Sequence, residues 1–196
     1  MTTEDLLARL SIGTAPENLV YQARRVRRLG VPPQARDIQI VHELDGILDH
    51  VYPSTLLRTG SALWEAWSGH LAFTAPDLLL GLDAGGILPT VAVALASGLP
   101  YRLAWKLDLD LPYKRRFTES HARRTEVFTY GELAGTRVLI VDDEITTGNT
   151  LGNLVAVLRG SAVEVTGIAC LVEDTTGNAR PLLESLGVPL CTLTQL

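Results

Sequence analysis

The stretch Val138-Leu139-Ile140-Val141-Asp142-Asp143-Glu144-Ile145-Thr146-Thr147-Gly148-Asn149-Thr150 decides how this chain folds. Val138 to Val141 are apolar and mostly β-branched, which suits a strand buried on both faces of a parallel sheet. The apolar run stops at Asp142, Asp143 and Glu144, and small or hydroxyl-bearing residues follow from Thr146 to Thr150. Beyond them Leu151, Leu154, Val155 and Leu158 recur at helical spacing. This order of strand, polar loop and helix places the loop amides at a helix N-terminus. There, unpaired N–H groups and the positive end of the dipole favour a phosphate. Thr146, Thr147 and Thr150 add hydroxyl donors, and Gly148 lets the backbone approach a ligand closely. Carboxylates beside a phosphate repel it unless they have another task, and sugar hydroxyls or a divalent cation supply one. The plainer alternative is a strand that ends in solvated acids before a Ser/Thr-capped helix. No Gly-x-x-x-x-Gly-Lys-Ser/Thr pattern occurs, so a P-loop is excluded.

Outward from this stretch the pattern alternates strand and helix. Leu78 to Leu82 reads as an apolar strand, followed by Asp83-Ala84-Gly85-Gly86 and a helix from Ile87 to Ser97 closed by Gly98. Consecutive glycines between strand and helix serve close approach of a ligand, or tight packing. Pro100 to Trp105 predicts a strand ending at Lys106, Thr125 to Thr129 another, and Val163 to Val172 a buried one. The last ends in Glu173-Asp174-Thr175-Thr176-Gly177-Asn178, which borders a site at the strands' carboxyl ends. A short helix over 181–186 and a strand over 188–193 close the chain. Leu107 to Arg124 is irregular and basic, and long irregular connections in compact domains usually serve function. Toward the N-terminus, helices are expected over 4–10 and 17–29 and a short strand over 37–41. Ser54 is read as the cap of a helix running to about Ala66. The run Arg24-Arg25-Val26-Arg27-Arg28 is read as a solvated helix face, with a nucleic-acid contact or a subunit interface as alternatives. His42, His50 and His70 are read as structural or surface histidines.

Composition is that of an ordinary globular chain, with 46% hydrophobic and 20% charged residues in 196. Net charge is −5, yet residues 1–36 hold six basic against three acidic side chains, so the remainder carries −8. An acidic total argues against extensive contact with nucleic acid. No apolar run reaches the length of a membrane span, and the N-terminus lacks the shape of a signal peptide. Cys170 and Cys191 fit a reducing cytoplasm, without a disulfide or a metal cluster.

The stretch from Val138 to Thr150 resembles the signature with which type I phosphoribosyltransferases bind 5-phosphoribosyl 1-pyrophosphate (PRPP). Order, spacing and context agree, but Glu144 stands where the family usually has an aliphatic residue. The resemblance implies an α/β fold with a parallel, Rossmann-like core over residues 77–196 and a small helical N-terminal hood over 1–76. It implies transfer of ribose 5-phosphate from PRPP to a nitrogenous base with release of pyrophosphate, for nucleotide salvage. Thr146, Thr147, Gly148, Asn149 and Thr150 would bind the 5′-phosphate. Asp142 and Asp143 would be the catalytic acids, touching the ribose hydroxyls directly or through Mg²⁺. Ala84, Gly85, Gly86 and Lys106 would meet the pyrophosphate, although related adenine and xanthine enzymes often carry Arg where Gly85 stands. Lys114, Arg115, Arg116 and His121 match the family's flexible loop, which closes over PRPP. A homodimer in the cytoplasm is the family habit. A purine such as adenine is preferred over orotate. The rival is a PRPP-sensing, nucleic-acid-binding regulator, which the basic N-terminal segment keeps open.

Overall fold

The computed structural model describes residues 21–31, 36–119 and 126–196. Its centre is a five-stranded sheet. The strands are β3 (Leu78–Leu82), β4 (Tyr101–Ala104), β7 (Arg137–Ile145), β8 (Glu164–Glu173) and β9 (Leu190–Gln195), in the order β4-β3-β7-β8-β9. Every neighbouring pair is parallel. Two antiparallel pairs lie outside the sheet: β1 (Ala23–Arg27) with β2 (Ile38–His42), and β5 (Arg115–Thr118) with β6 (Glu126–Thr129). The helices are α1 (Pro53–Ser68), α2 (Ile87–Ser97), α3 (Asn149–Arg159) and α4 (Ala179–Ser185).

The central strands are apolar without alternation because both faces are covered. Leu79, Leu139 and Val141 pack with Leu63 and Trp67 of α1 and Val93 of α2. Leu78, Leu80, Val138 and Ile140 face the other way, onto Leu151, Leu154 and Leu158 of α3. Successive residues of one strand thus serve opposite layers. The close fit is visible at Gly167 of β8, where a Cβ would stand 2.2 Å from the ring of Trp67.

Several elements differ from expectation. Residues 23–27 form a strand where the 17–29 pattern predicts a helix, and strand pairing across 31 to 37 sets that conformation. The expected helix over 4–10 lies outside the described residues. Ser54 caps nothing: α1 starts at Pro53, in the first turn where its missing N–H costs no hydrogen bond. The irregular segment 107–124 contains β5, so part of it is a hairpin arm and not an open loop. Strand β7 also continues past Val141 to Ile145, with Asp142 and Glu144 in register with Cys170 and Val172. The acids therefore stand on the last turns of pleat and not on a free loop.

Chain order reverses between β3 and β7, because β4 leaves to one side of β3 and β7 pairs on the other. In open α/β sheets, ligands bind beyond the carboxyl ends of the strands at such a switch point. The Asp83–Gly86 turn and the Asp142–Thr150 segment both emerge there.

Candidate active site

A cavity of about 290 Å³ opens at the switch point. Its floor is made by Asp83, Ala84 and Gly85 after β3, and by Asp142, Asp143, Glu144 and the loop to Leu151 after β7. Lys106 and Glu119 close one side, and Arg28, Arg36 and Gln39 from the segment around β1 and β2 close the other.

The loop after β7 is built as its residues require. Gly148 takes φ +74°, a left-handed conformation that leaves a β-carbon crowded against its own backbone. It stands at the N-cap of α3, which has neither a capping side chain nor an acid in its first turn. The Asn149 N–H makes only a long contact of 3.4 Å with Thr147 Oγ1, and the N–H groups after it are available to an anion. Thr146, Thr147, Gly148 and Thr150 line the cavity, and Asn149 is exposed outside the lining.

The turn after β3 is pressed against the acids. Asp83–Ala84 is a cis peptide. A Cβ at Gly85 would lie 2.1 Å from Asp143 Oδ2, and one at Gly86 would lie 2.7 Å from Asp142 Oδ1. Gly86 sits at the N-cap of α2 and does not line the cavity. Burial, then the neighbouring Asp143 charge, pushes the Asp142 carboxyl well above the usual carboxylate range. Burial acts to raise Asp143 too, but His42 and Asp142 together hold it below that range. Asp142 thus holds a proton more readily, and Asp143 stays ionised.

Glu144 is pushed upward by burial and drawn back by Arg36. The two form a two-armed ion pair, with Arg36 Nη2 3.4 Å from Glu144 Oε2 as the longer arm. Glu144 thus finds its partner 108 residues away in sequence. The pair lessens the repulsion that a third acid offers to phosphates.

Lys106 reaches the cavity, and its Nζ lies 2.8 Å from Glu119 Oε2. The other basic residues expected around the cavity do not line it. Lys114 pairs with Asp108 at 2.8 Å, Arg116 pairs with Glu126 at 2.8 Å, and Arg115 donates to the Gly131 carbonyl at 2.9 Å. Each points to a partner on the hairpin or its flanks. His121 lies outside the described residues.

Beside the first cavity is a second, of about 380 Å³, lined by Arg25, Asp37, Ile38, Asp174 and Thr176. Arg36, Thr146 and Thr147 belong to both. Its wall is tied by Arg25 Nη2, 2.6 Å from Asp174 Oδ1, which also accepts from Thr176 Oγ1 at 2.7 Å. Burial acts to raise Asp174, but Arg25 and Thr176 outweigh it and hold the carboxyl at about 2. An unfolded Asp titrates near ~3.9. A depressed folded pKa contributes stability that is complete above the unfolded value and fades as pH falls through the folded one. The difference in unfolding free energy between wild type and Asp174→Asn should hold from neutral pH to about pH 4 and vanish by about pH 2. Denaturant titrations over that range measure it, and a difference that ignores pH discards the tie.

Oxygen donors suit Mg²⁺, which binds through one or two carboxylates and completes its shell with water and substrate phosphates. The described residues contain no group of three or more His, Cys, Asp or Glu placed to cage a metal. A paired Asp142 and Asp143 facing a phosphate loop fits that mode of binding, as does the excess negative charge that raises Asp142.

Comparison with known proteins agrees with this geometry. The profile of the phosphoribosyl transferase domain matches residues 58–186. A xanthine phosphoribosyltransferase of Chloroflexus aurantiacus is 32% identical over 180 residues, which are 89% of this chain and 82% of the relative. An adenine phosphoribosyltransferase of Streptomyces coelicolor is 33% identical over 135 residues, covering 66% of this chain and 74% of that one. Among solved structures, adenine phosphoribosyltransferase from Leishmania tarentolae shares the fold with a TM-score of 0.68 at 22% identity, over 88% of this chain and 83% of that chain. A profile match over most of the sequence, at the residues that build the cavity, makes this chain a member of the type I phosphoribosyltransferases, enzymes of the pentosyltransferase class.

Proposed function

We propose that this enzyme transfers ribose 5-phosphate from PRPP to a purine base and releases pyrophosphate. The observation that carries this is the convergence of a phosphate loop, an acidic pair and a glycine turn on one cavity at the switch point. Relatives named for xanthine, hypoxanthine/guanine and adenine support a purine. Within the purines, an oxopurine takes the place of the adenine preference. Arg36 faces both cavities and offers only donors, which suits ring carbonyls, and the xanthine enzyme aligns over most of this chain.

Each part of the chain has a task in this reaction. Thr146 to Thr150 and the N-terminus of α3 hold the 5′-phosphate, which fixes the sugar and contributes through orientation. Asp143, kept ionised, and Asp142 accept from the ribose hydroxyls and favour positive charge developing on the ring. Lys106 and the amides of Ala84, Gly85 and Gly86 face the leaving pyrophosphate. Asp142 and Asp143, together with PRPP, would hold Mg²⁺, which would supply charge neutralisation for the departing group. The base occupies the second cavity between the hood strands β1 and β2 and the Glu173–Gly177 segment. In its described residues the N-terminal hood, set against a core over 77–196, brings a strand pair around the base, and α1 is a layer on the sheet.

The regulator loses its main support, because the basic run is partly committed to the site. Arg25 is paired with Asp174, and Arg28 lines the first cavity. The setting that fits is a cytoplasmic salvage enzyme. Both cysteines are free and buried, and exposed Leu88, Leu95 and Tyr101 offer a face to a second copy. Among the described residues, no helix is long and apolar enough to cross a membrane.

The test is pyrophosphate release from PRPP, screened with xanthine, hypoxanthine, guanine, adenine and orotate. Release with an oxopurine, abolished by chelation of Mg²⁺, is expected. Release with orotate alone, or with none of them, overturns the proposal.

A further inference from the structure

Three residues outside the expected set form a continuous chain into the site. Tyr21 is 1% exposed and His42 4%, and Tyr21 Oη lies 2.8 Å from His42 Nδ1. The Leu44 N–H lies 3.3 Å from both of those atoms. At the other edge of the ring, His42 Nε2 lies 3.6 Å from Asp143 Oδ2. The Gly85 backbone also presses on the Asp143 carboxylate, with no room for a side chain there.

The donors in this chain determine the histidine's tautomer. A tyrosine hydroxyl carries its proton at neutral pH, and among the described residues its acceptor is His42 Nδ1. The amide of Leu44 is a donor as well. Two donors converge on Nδ1, so Nδ1 is the bare nitrogen and the ring proton sits on Nε2, the atom that faces Asp143. The His42 backbone is itself held, its N–H donating to Asp45 Oδ2 at 2.8 Å. Nothing in this arrangement can turn freely.

We propose that Tyr21 and His42 are positioning residues for Asp143, a hydrogen-bond chain from the hood that aims the His42 Nε2–H at the catalytic carboxylate. The gap of 3.6 Å closes when substrate draws Asp143 into place, as site hydrogen bonds commonly tighten in the reactive complex. One carboxylate oxygen is then occupied by the hood, and the other is left to the ribose. The consequence for catalysis rests on the function proposed above; the tautomer does not.

The experiment therefore has two independent arms. Nitrogen-15 histidine side-chain spectra of the unliganded protein, with His42 assigned by its loss in His42→Gln, read the tautomer without any activity. A ring protonated at Nε2 is expected, and one protonated at Nδ1 alone overturns the proposal even if the enzyme is active. In the second arm, His42→Ala should lower kcat by about 10–100-fold, the usual cost of losing such an outer partner. KM for the base should stay near wild type, and His42→Gln should recover part of the rate through its amide donor. Tyr21→Phe should mix the His42 tautomers and lower kcat less. A fall in thermal stability with kcat unchanged per folded molecule would reduce both residues to structural ones and overturn the proposal. If the His42 variants fail to fold, replacing His50, His70 and His121 by Gln leaves His42 as the one histidine signal, and that spectrum decides. An Nε2–H ring in a protein that releases no pyrophosphate leaves the chain standing and removes the proposed reaction instead.

Discussion

Asp143→Asn is expected to lower turnover of PRPP by roughly 100- to 1,000-fold, the scale seen when one electrostatic partner of a transition state is removed. The thermal midpoint should fall far less than the rate. Asp142, Asp143 and Glu144 crowd three carboxylates onto the end of β7, and burial with the neighbouring charge raises Asp142 and Glu144. Removing one charge relieves that crowding but gives up the His42 contact that favours ionised Asp143, so the two effects largely offset. Asparagine keeps the shape of the side chain, which leaves the packing against Gly85 nearly unchanged. Steady-state kinetics beside a thermal melt separate the two effects. Parallel losses in rate and stability would remove Asp143 from the catalytic set.

Gly86→Ala should damage both properties at once. Gly86 has φ −69° and ψ −8°, which any residue adopts, so backbone freedom is not why glycine stands there. Space is. A methyl group would meet Asp142 Oδ1 at 2.7 Å and the Leu82 N and O atoms at 2.9 Å. Those backbone atoms belong to the end of β3, which cannot move without disturbing its pairing with β4 and β7. Overpacking of this kind costs about 1–3 kcal/mol. The Asp142 carboxylate must give way as well, so activity per folded molecule should fall further than stability does. Gly98→Ala makes the control. Gly98 has φ +73° with nothing within 4 Å of an added Cβ. Backbone strain of about 1–2 kcal/mol should appear there without a loss of turnover. Equal activity losses in the two variants, measured by pyrophosphate release after correction for folded fraction, would detach Gly86 from the site.

The basic segment from Lys114 to Arg116 shows its charge in the sequence but not its partners. A cluster of positive charges in an irregular stretch suggests a lid over phosphates, yet each described side chain of that cluster has a nearer partner on the hairpin. Charge density is visible in a sequence; the acid that answers it is not. Arg24 to Arg28 misleads for a related reason. Arg24 to Arg27 are exposed on β1, so no alternation of apolar residues marks the strand, and its conformation comes from pairing with β2.

What the chain determined by itself was everything set by neighbours in sequence. Continuous apolar runs require a sheet covered on both faces, and a glycine beside hydroxyls at a helix start leaves N–H groups that suit an anion. The strands β3, β7 and β8, the turn at Gly85 and Gly86, and the loop from Thr146 to Thr150 follow from those local rules. Tertiary structure decided the rest. It set Arg36 against Glu144 and Arg25 against Asp174 across 108 and 149 residues. It also brought Tyr21 and His42 to the back of Asp143. Such pairs have no period and no spacing, because their geometry exists only after the hood and the sheet have packed together.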